Sequence, residues 1–200
     1  MGSLLGLAPV AFVAILLVRV FSEGGGAEAL IWLGLFTLLG AFEGAVVGLA
    51  QWLVLRQRLP GLTRRSWVWA TIIGAVATWF LGMLPGTIMS VIGNDGGDLP
   101  DLDGTEALVM ETALAIMLGA ILAIPQWWVL RRHVGMAGWW LPANALAWAV
   151  AMPLIILAAG LPLPNSLFPL LAIAAAMIVG VGAVTGAIHG AVLVRLLRGA

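Results

Sequence analysis

Long apolar runs, broken by short polar clusters, dominate this chain from one end to the other. A helix needs about 20 mostly apolar residues to cross a bilayer. The pattern predicts such helices over Leu4–Phe21, Ala29–Leu55, Trp67–Ile92, Glu106–Leu130, Trp139–Ala159 and Leu167–Leu197. The breaks between them carry turn-forming residues: Gly24-Gly25-Gly26, Pro60-Gly61, Gly93-Asn94-Asp95-Gly96-Gly97, Gly135 and Pro162-Leu163-Pro164-Asn165. Several runs exceed the bilayer thickness, so tilt or overhang is expected.

The ends of these runs are sorted by charge. Arg56, Arg58, Arg64 and Arg65 lie between the second and third runs, Arg131 and Arg132 between the fourth and fifth, and Arg195 and Arg198 at the C-terminus. With six spans all of these share one side, and only Arg19 falls on the other. Basic residues stay cytoplasmic, so both termini are expected in the cytoplasm. The acidic residues Glu23, Glu28, Asp95, Asp98, Asp101, Asp103 and Glu106 fall on the opposite side. An odd number of spans would destroy this sorting.

Composition agrees. Hydrophobic residues make up 62% of the chain and charged residues 9%, against about 25% charged in a soluble domain. There is no cysteine, which excludes disulfides, thiolate metal sites and cysteine nucleophiles. Lysine is absent as well, so no Schiff base can form. The first run is preceded by no Lys or Arg, whereas a signal peptide needs a basic start. It is therefore expected to be a retained helix. Most of the ten tryptophans (Trp52, Trp67, Trp69, Trp127, Trp128, Trp139 and Trp140) flank the basic connections, as an interfacial aromatic belt would.

Three segments repeat. Gly44 to Arg56 contains Gly48, Gln51, Trp52 and Leu55; Gly119 to Arg131 contains Ala123, Gln126, Trp127 and Leu130; Gly182 to Arg195 contains Gly186, His189, Gly190 and Leu193. Trp67-Val-Trp-Ala70-Thr71 likewise matches Trp140-Leu-Pro-Ala143-Asn144. Self-similarity of this kind marks a repeated structural unit. The expected fold is all-α and integral to the membrane: six transmembrane helices as three tandem, parallel-repeat hairpins. The hairpins cover approximately 1–58, 64–133 and 138–198 of a single domain spanning residues 1–200. Gly40, Gly44 and Gly48 share one helix face, as do Gly119 with Ala115 and Ala123, and Gly182, Gly186 and Gly190. Small residues so spaced let helices approach closely, and these faces are expected to meet near the middle of the bundle.

On Gly48-Leu-Ala-Gln51-Trp52-Leu-Val-Leu55-Arg56, on Pro125-Gln126-Trp127-Trp128-Val-Leu130-Arg131 and on the Gly-rich stretch Gly182 to Arg198, the chain resembles a group of uncharacterised bacterial multi-pass membrane proteins. They carry repeated G-x-x-Q-W-x-x-L-R segments. The second copy departs from the pattern at Ala123, and the third has His189-Gly190 in place of Gln-Trp. The resemblance implies architecture and brings no activity with it.

Candidate chemistry is sparse. Glu43 lies about 20 Å along its helix from Arg56, at 1.5 Å per residue, and so falls inside the membrane. A carboxyl group there must be protonated, paired or open to a polar cavity, and is a functional candidate. Gln51, Gln126 and His189 occupy equivalent repeat positions and would converge in a threefold arrangement. They would form either a polar ligand site or interhelical hydrogen bonds. Asn144 calls for a partner. Glu111 falls near the outer interface. Pro85, Pro125, Pro142 and Pro153 are candidate kinks. The acidic stretch from Asp95 to Glu106 carries oxygen ligands that could suit calcium, but at irregular spacing. Nothing reads as a nucleotide loop or catalytic triad. The arginines suit anionic lipid better than nucleic acid.

These features predict a non-enzymatic membrane protein without cofactor or metal. It would serve as an accessory or scaffold subunit, contacting lipids and other membrane subunits or copies of itself. The competing expectation is a small-solute or lipid carrier or channel with a polar intramembrane site at Glu43, Gln51, Gln126, Asn144 and His189. An intramembrane enzyme using Glu43 and His189 ranks last, because about 12 Å of helix axis separates their repeat positions.

Overall fold

Residues 26–92, 104–159 and 167–198 are described by a computed structural model. They form α1 (Gly26–Leu55), α2 (Arg64–Val91), α3 (Gly104–Leu130), α4 (Trp140–Ala159) and α5 (Leu167–Arg198), with a 3-10 turn at Ala137–Trp139 before α4. No strand occurs among the described residues. Among the described residues, five helices are long and apolar enough to cross a membrane. Leu4–Phe21, Arg19, Glu23, the acidic stretch from Asp95 to Asp103 and the Pro162–Asn165 connection lie outside the described residues. Where helices were expected in the described parts they occur, with ends shifted by a few residues.

Each helix packs mainly on the next in sequence: α1 on α2, α2 on α3, α3 on α4 and α4 on α5. Their outward faces are apolar, with Leu38 at 69% and Phe42 at 65% exposure. Such a surface is compatible with lipid and costly in water.

The α1–α2 and α3–α4 connections begin with the same turn. Arg56, Arg58 and Leu59 donate their backbone N–H groups to the carbonyls of Trp52, Leu55 and Leu55 over 2.9, 3.0 and 2.8 Å. Arg131, His133 and Val134 do the same toward Trp127, Leu130 and Leu130 over 2.9, 2.9 and 3.1 Å. These bonds occupy carbonyls that a helix end otherwise leaves open. Leu59, Leu62, Val134 and Ala137 then fold back into a buried cluster with Leu55, Leu130, Trp67, Trp140 and Leu196. Trp52 Nε1 closes the first connection by donating to the Leu62 carbonyl over 3.0 Å. Thr63 caps α2 by accepting the Ser66 N–H at 3.2 Å.

This cluster corrects the expected aromatic belt. Trp69, Trp128 and Trp139 are exposed, but Trp67 and Trp140 are interior, their rings edge-on at 6.1 Å. An indole N–H can be buried when it finds an acceptor, and both find one, as described below.

The glycine faces do not meet in the middle of the bundle. Gly40, Gly44 and Gly48 lie against α2, and Gly119 lies against α4. A Cβ on Gly44 would stand 2.8 Å from Ile72 Cα and 3.0 Å from the Thr71 carbonyl oxygen. One on Gly119 would stand 2.9 Å from the Asn144 carbonyl oxygen and 2.6 Å from Trp148 Cδ1. Each small face serves the following helix because hydrogen-bonded connections hold consecutive helices side by side. Gly186 and Gly190 on α5 have nothing within 4 Å among the described residues. Pro85, Pro125 and Pro153 lie inside helices, whereas Pro142 sits in the first turn of α4, where a missing N–H costs no helix bond.

Candidate functional site: a polar cavity among the helices

Polar side chains from every described helix surround one cavity. Glu43 and Gln51 come from α1, Thr71 from α2, Gln126 from α3, Asn144 from α4, and Thr185 and His189 from α5. All the predicted polar candidates are therefore at one place. The space open to a water centre is about 20 Å³, enough for one water by the same measure, which requires about 10–15 Å³.

Gln126 organises the basic end of this site. It is buried, and its Oε1 accepts from Trp140 Nε1 at 2.8 Å. Its Nε2 donates to Thr71 Oγ1 at 3.0 Å and to Gln51 Oε1 at 3.3 Å. Gln51 Oε1 also accepts from Trp67 Nε1 at 3.3 Å. Two matching Trp-to-Gln bonds are thus joined by a Gln-to-Gln bond, and four helices share one network. Thr71 Oγ1 donates in turn to the Trp67 carbonyl at 3.0 Å, and Asn144 Nδ2 to the Trp140 carbonyl at 2.8 Å. The partner sought for Asn144 lies in its own helix, one turn back, so this bond is local and does not tie two helices.

His189 joins by stacking. Its ring lies 5.1 Å from that of Trp140, tilted by 31°. It is buried, and neither Nδ1 nor Nε2 has a hydrogen-bond partner among the described residues. Neutral imidazole carries one donor and one acceptor, and leaving either unmet in a low-dielectric interior costs about 1–3 kcal/mol. A water in the adjoining cavity would meet that need.

Glu43 lies farther along α1 from the basic end. It is buried, and its Oε2 accepts from Trp79 Nε1 at 2.8 Å. The Trp79 ring lies across Gly40, one turn before Gly44, and stacks at 5.8 Å on Phe36. Trp79 was not singled out by sequence reasoning. Its signal was position: unlike most tryptophans it lies in mid-helix, far from any basic connection. Trp148, packed on Gly119, shares that signal.

Glu111 is exposed on α3 and takes no part in the site. His133 approaches Gly61, away from the cavity. Among the described residues no group of three or more His, Cys, Asp or Glu side chains could hold a metal ion. The fold and site together define a class: a multi-span helical membrane protein with a polar cavity between its helices. No family model matches the chain, and no curated protein or solved structure matches it either.

Proposed function

We propose that the protein is a non-enzymatic carrier or channel for a small polar solute, with Glu43, Gln51, Gln126, Asn144 and His189 as its intramembrane site. One observation carries this reading. Four helices bring those side chains to a single cavity, where the two nitrogens of the buried His189 imidazole have no hydrogen-bond partner among the described residues. Ionisable groups inside a membrane bundle commonly mark such pathways. With room for about one water, this conformation is the closed one, and a larger solute would need helix movement.

The same reading places the chain in a bacterial inner membrane with both termini cytoplasmic. It takes the chain as six spans in three tandem hairpins, with Leu4–Phe21 as the first, and as a member of the bacterial multi-pass group it resembles. Recurring contacts support the repeat. Gly44 meets the Thr71 carbonyl as Gly119 meets that of Asn144.

A second reading, an accessory or scaffold subunit, rests on the small-residue face at Gly186 and Gly190, which no described residue approaches within 4 Å and which a partner chain or a second copy could occupy. Native mass spectrometry of the protein extracted gently from its own membranes separates the two. Stoichiometric companion chains support the subunit reading, and a lone chain retaining a small polar mass supports the carrier. For the carrier, solute-driven volume change of proteoliposomes is expected to exceed that of empty vesicles and to fall to their level in Glu43→Gln and His189→Phe. Equal rates for wild type and empty vesicles across urea, glycerol and small ions would overturn it.

A further inference from the structure

A second concavity lies on the outer side of the α1–α2 pair, apart from the polar cavity. It is a groove of about 610 Å³ lined by Ala45 and Leu49 of α1 and by Arg64, Arg65, Val68 and Trp69 of α2. Its two ends differ in chemistry. One presents two guanidinium groups at the start of α2, and the other is aliphatic.

The arginines of this groove differ from others on the basic side. Arg56 lies over the Trp52 ring at 5.0 Å, and Arg131 over the Trp128 ring at 3.5 Å. Those guanidinium faces are engaged by aromatic rings. Arg64 and Arg65 are exposed and line the groove. The hollow beside the start of α4 has Gly135, Met136, Gly138, Trp139 and Pro142, with no charge at all. The basic groove of the α1–α2 pair is therefore not repeated in the hollow at the start of α4.

We propose that this groove binds one anionic phospholipid. Arg64 and Arg65 hold the headgroup phosphate, and an acyl chain runs along Ala45, Leu49 and Val68. The planar guanidinium donors match phosphate oxygens in pairs. Exposed Trp69 lines the groove beside them, and indole favours the zone between headgroup and chain. A free phosphate would use the arginines and leave the aliphatic wall unused; a lipid uses both. Basic pockets between membrane helices recognise anionic lipids by this combination. The inference does not depend on what the polar cavity does.

The test is native mass spectrometry of the purified full chain in detergent, with phosphatidylglycerol or phosphatidylcholine of matched acyl chains added. One phosphatidylglycerol is expected to survive activation that strips phosphatidylcholine. In the double variant R64Q/R65Q its affinity should fall about thirtyfold, as two basic contacts at a membrane surface imply. Arg58→Gln removes an exposed charge from the same connection without touching the groove, and should retain the lipid within about twofold. Leu49→Trp, which fills the aliphatic wall, should lose it with both arginines intact, a second reading if the double variant does not fold. Retention unchanged in R64Q/R65Q, or equal retention of both lipids, would overturn the proposal. So would an equal loss in R58Q, or displacement by millimolar inorganic phosphate.

Discussion

Trp140 Nε1 donates to Gln126 Oε1 over 2.8 Å, with both side chains buried. That bond orients the amide of Gln126 so that its nitrogen faces Thr71 and Gln51. Replacing Gln126 with Leu leaves the Trp140 donor unmet, and is expected to cost about 1–3 kcal/mol of stability. Thermal unfolding in detergent measures it. In a double-mutant cycle with Trp140→Phe the two losses should fall short of additive by about 0.6–1.7 kcal/mol, the range for hydrogen bonds between membrane helices. Strict additivity would mean that the bond contributes nothing.

The adjacent residues Trp139 and Trp140 should behave oppositely. Trp139 is 60% exposed and Trp140 only 1%. Trp140→Ala is expected to cost about 3–5 kcal/mol through the cavity it leaves, and Trp139→Ala less than about 0.5 kcal/mol. Unfolding midpoints of the two variants decide the matter. Comparable losses would return both residues to an interfacial belt.

Close helix approach is tested at glycine. Gly44→Ala and Gly119→Ala push a methyl group into backbone atoms of α2 and α4, and are expected to destabilise by about 1–3 kcal/mol. Gly34 lies in α1 with nothing within 4 Å among the described residues. Gly34→Ala should leave stability unchanged or raise it by up to about 1 kcal/mol. A neutral Gly44→Ala would show that α1 and α2 separate more easily than their packing implies.

Glu43 separates folding from transport. Gln at this position keeps an oxygen for Trp79 Nε1, so Glu43→Gln should unfold close to the wild-type temperature. Glu43→Leu strands the indole donor and should lose about 1–3 kcal/mol. If solute flux also disappears in Glu43→Gln, the ionisable group itself is required. Full flux in that variant would reduce Glu43 to a packing and hydrogen-bonding role.

The polar residues Gln51, Gln126 and His189 were legible in the sequence as candidates, and the structure sets all three on one cavity. The positions of α1 to α5 were legible as well, because a run of about 20 apolar residues in lipid must satisfy its own backbone and so becomes a helix. Which face of each helix turns inward was not. In water, a buried face announces itself by its contrast with a polar one. Here lipid is as apolar as the bundle interior, so little contrast is written into the sequence. That is why interior Trp67 and Trp140 looked like their exposed neighbours Trp69 and Trp139, and why the glycine faces were expected at the centre.

The sequence by itself determined a helical membrane chain, its basic ends and its few polar side chains, since those follow from composition and local spacing. Tertiary structure decided the partners: Trp79 for Glu43, Trp140 for Gln126, α2 for the glycine face of α1, and, among the described residues, no hydrogen-bond partner for the His189 imidazole. Those choices depend on the geometry of whole helices held together by van der Waals contact and a few directional bonds, and no local pattern of residues encodes that geometry.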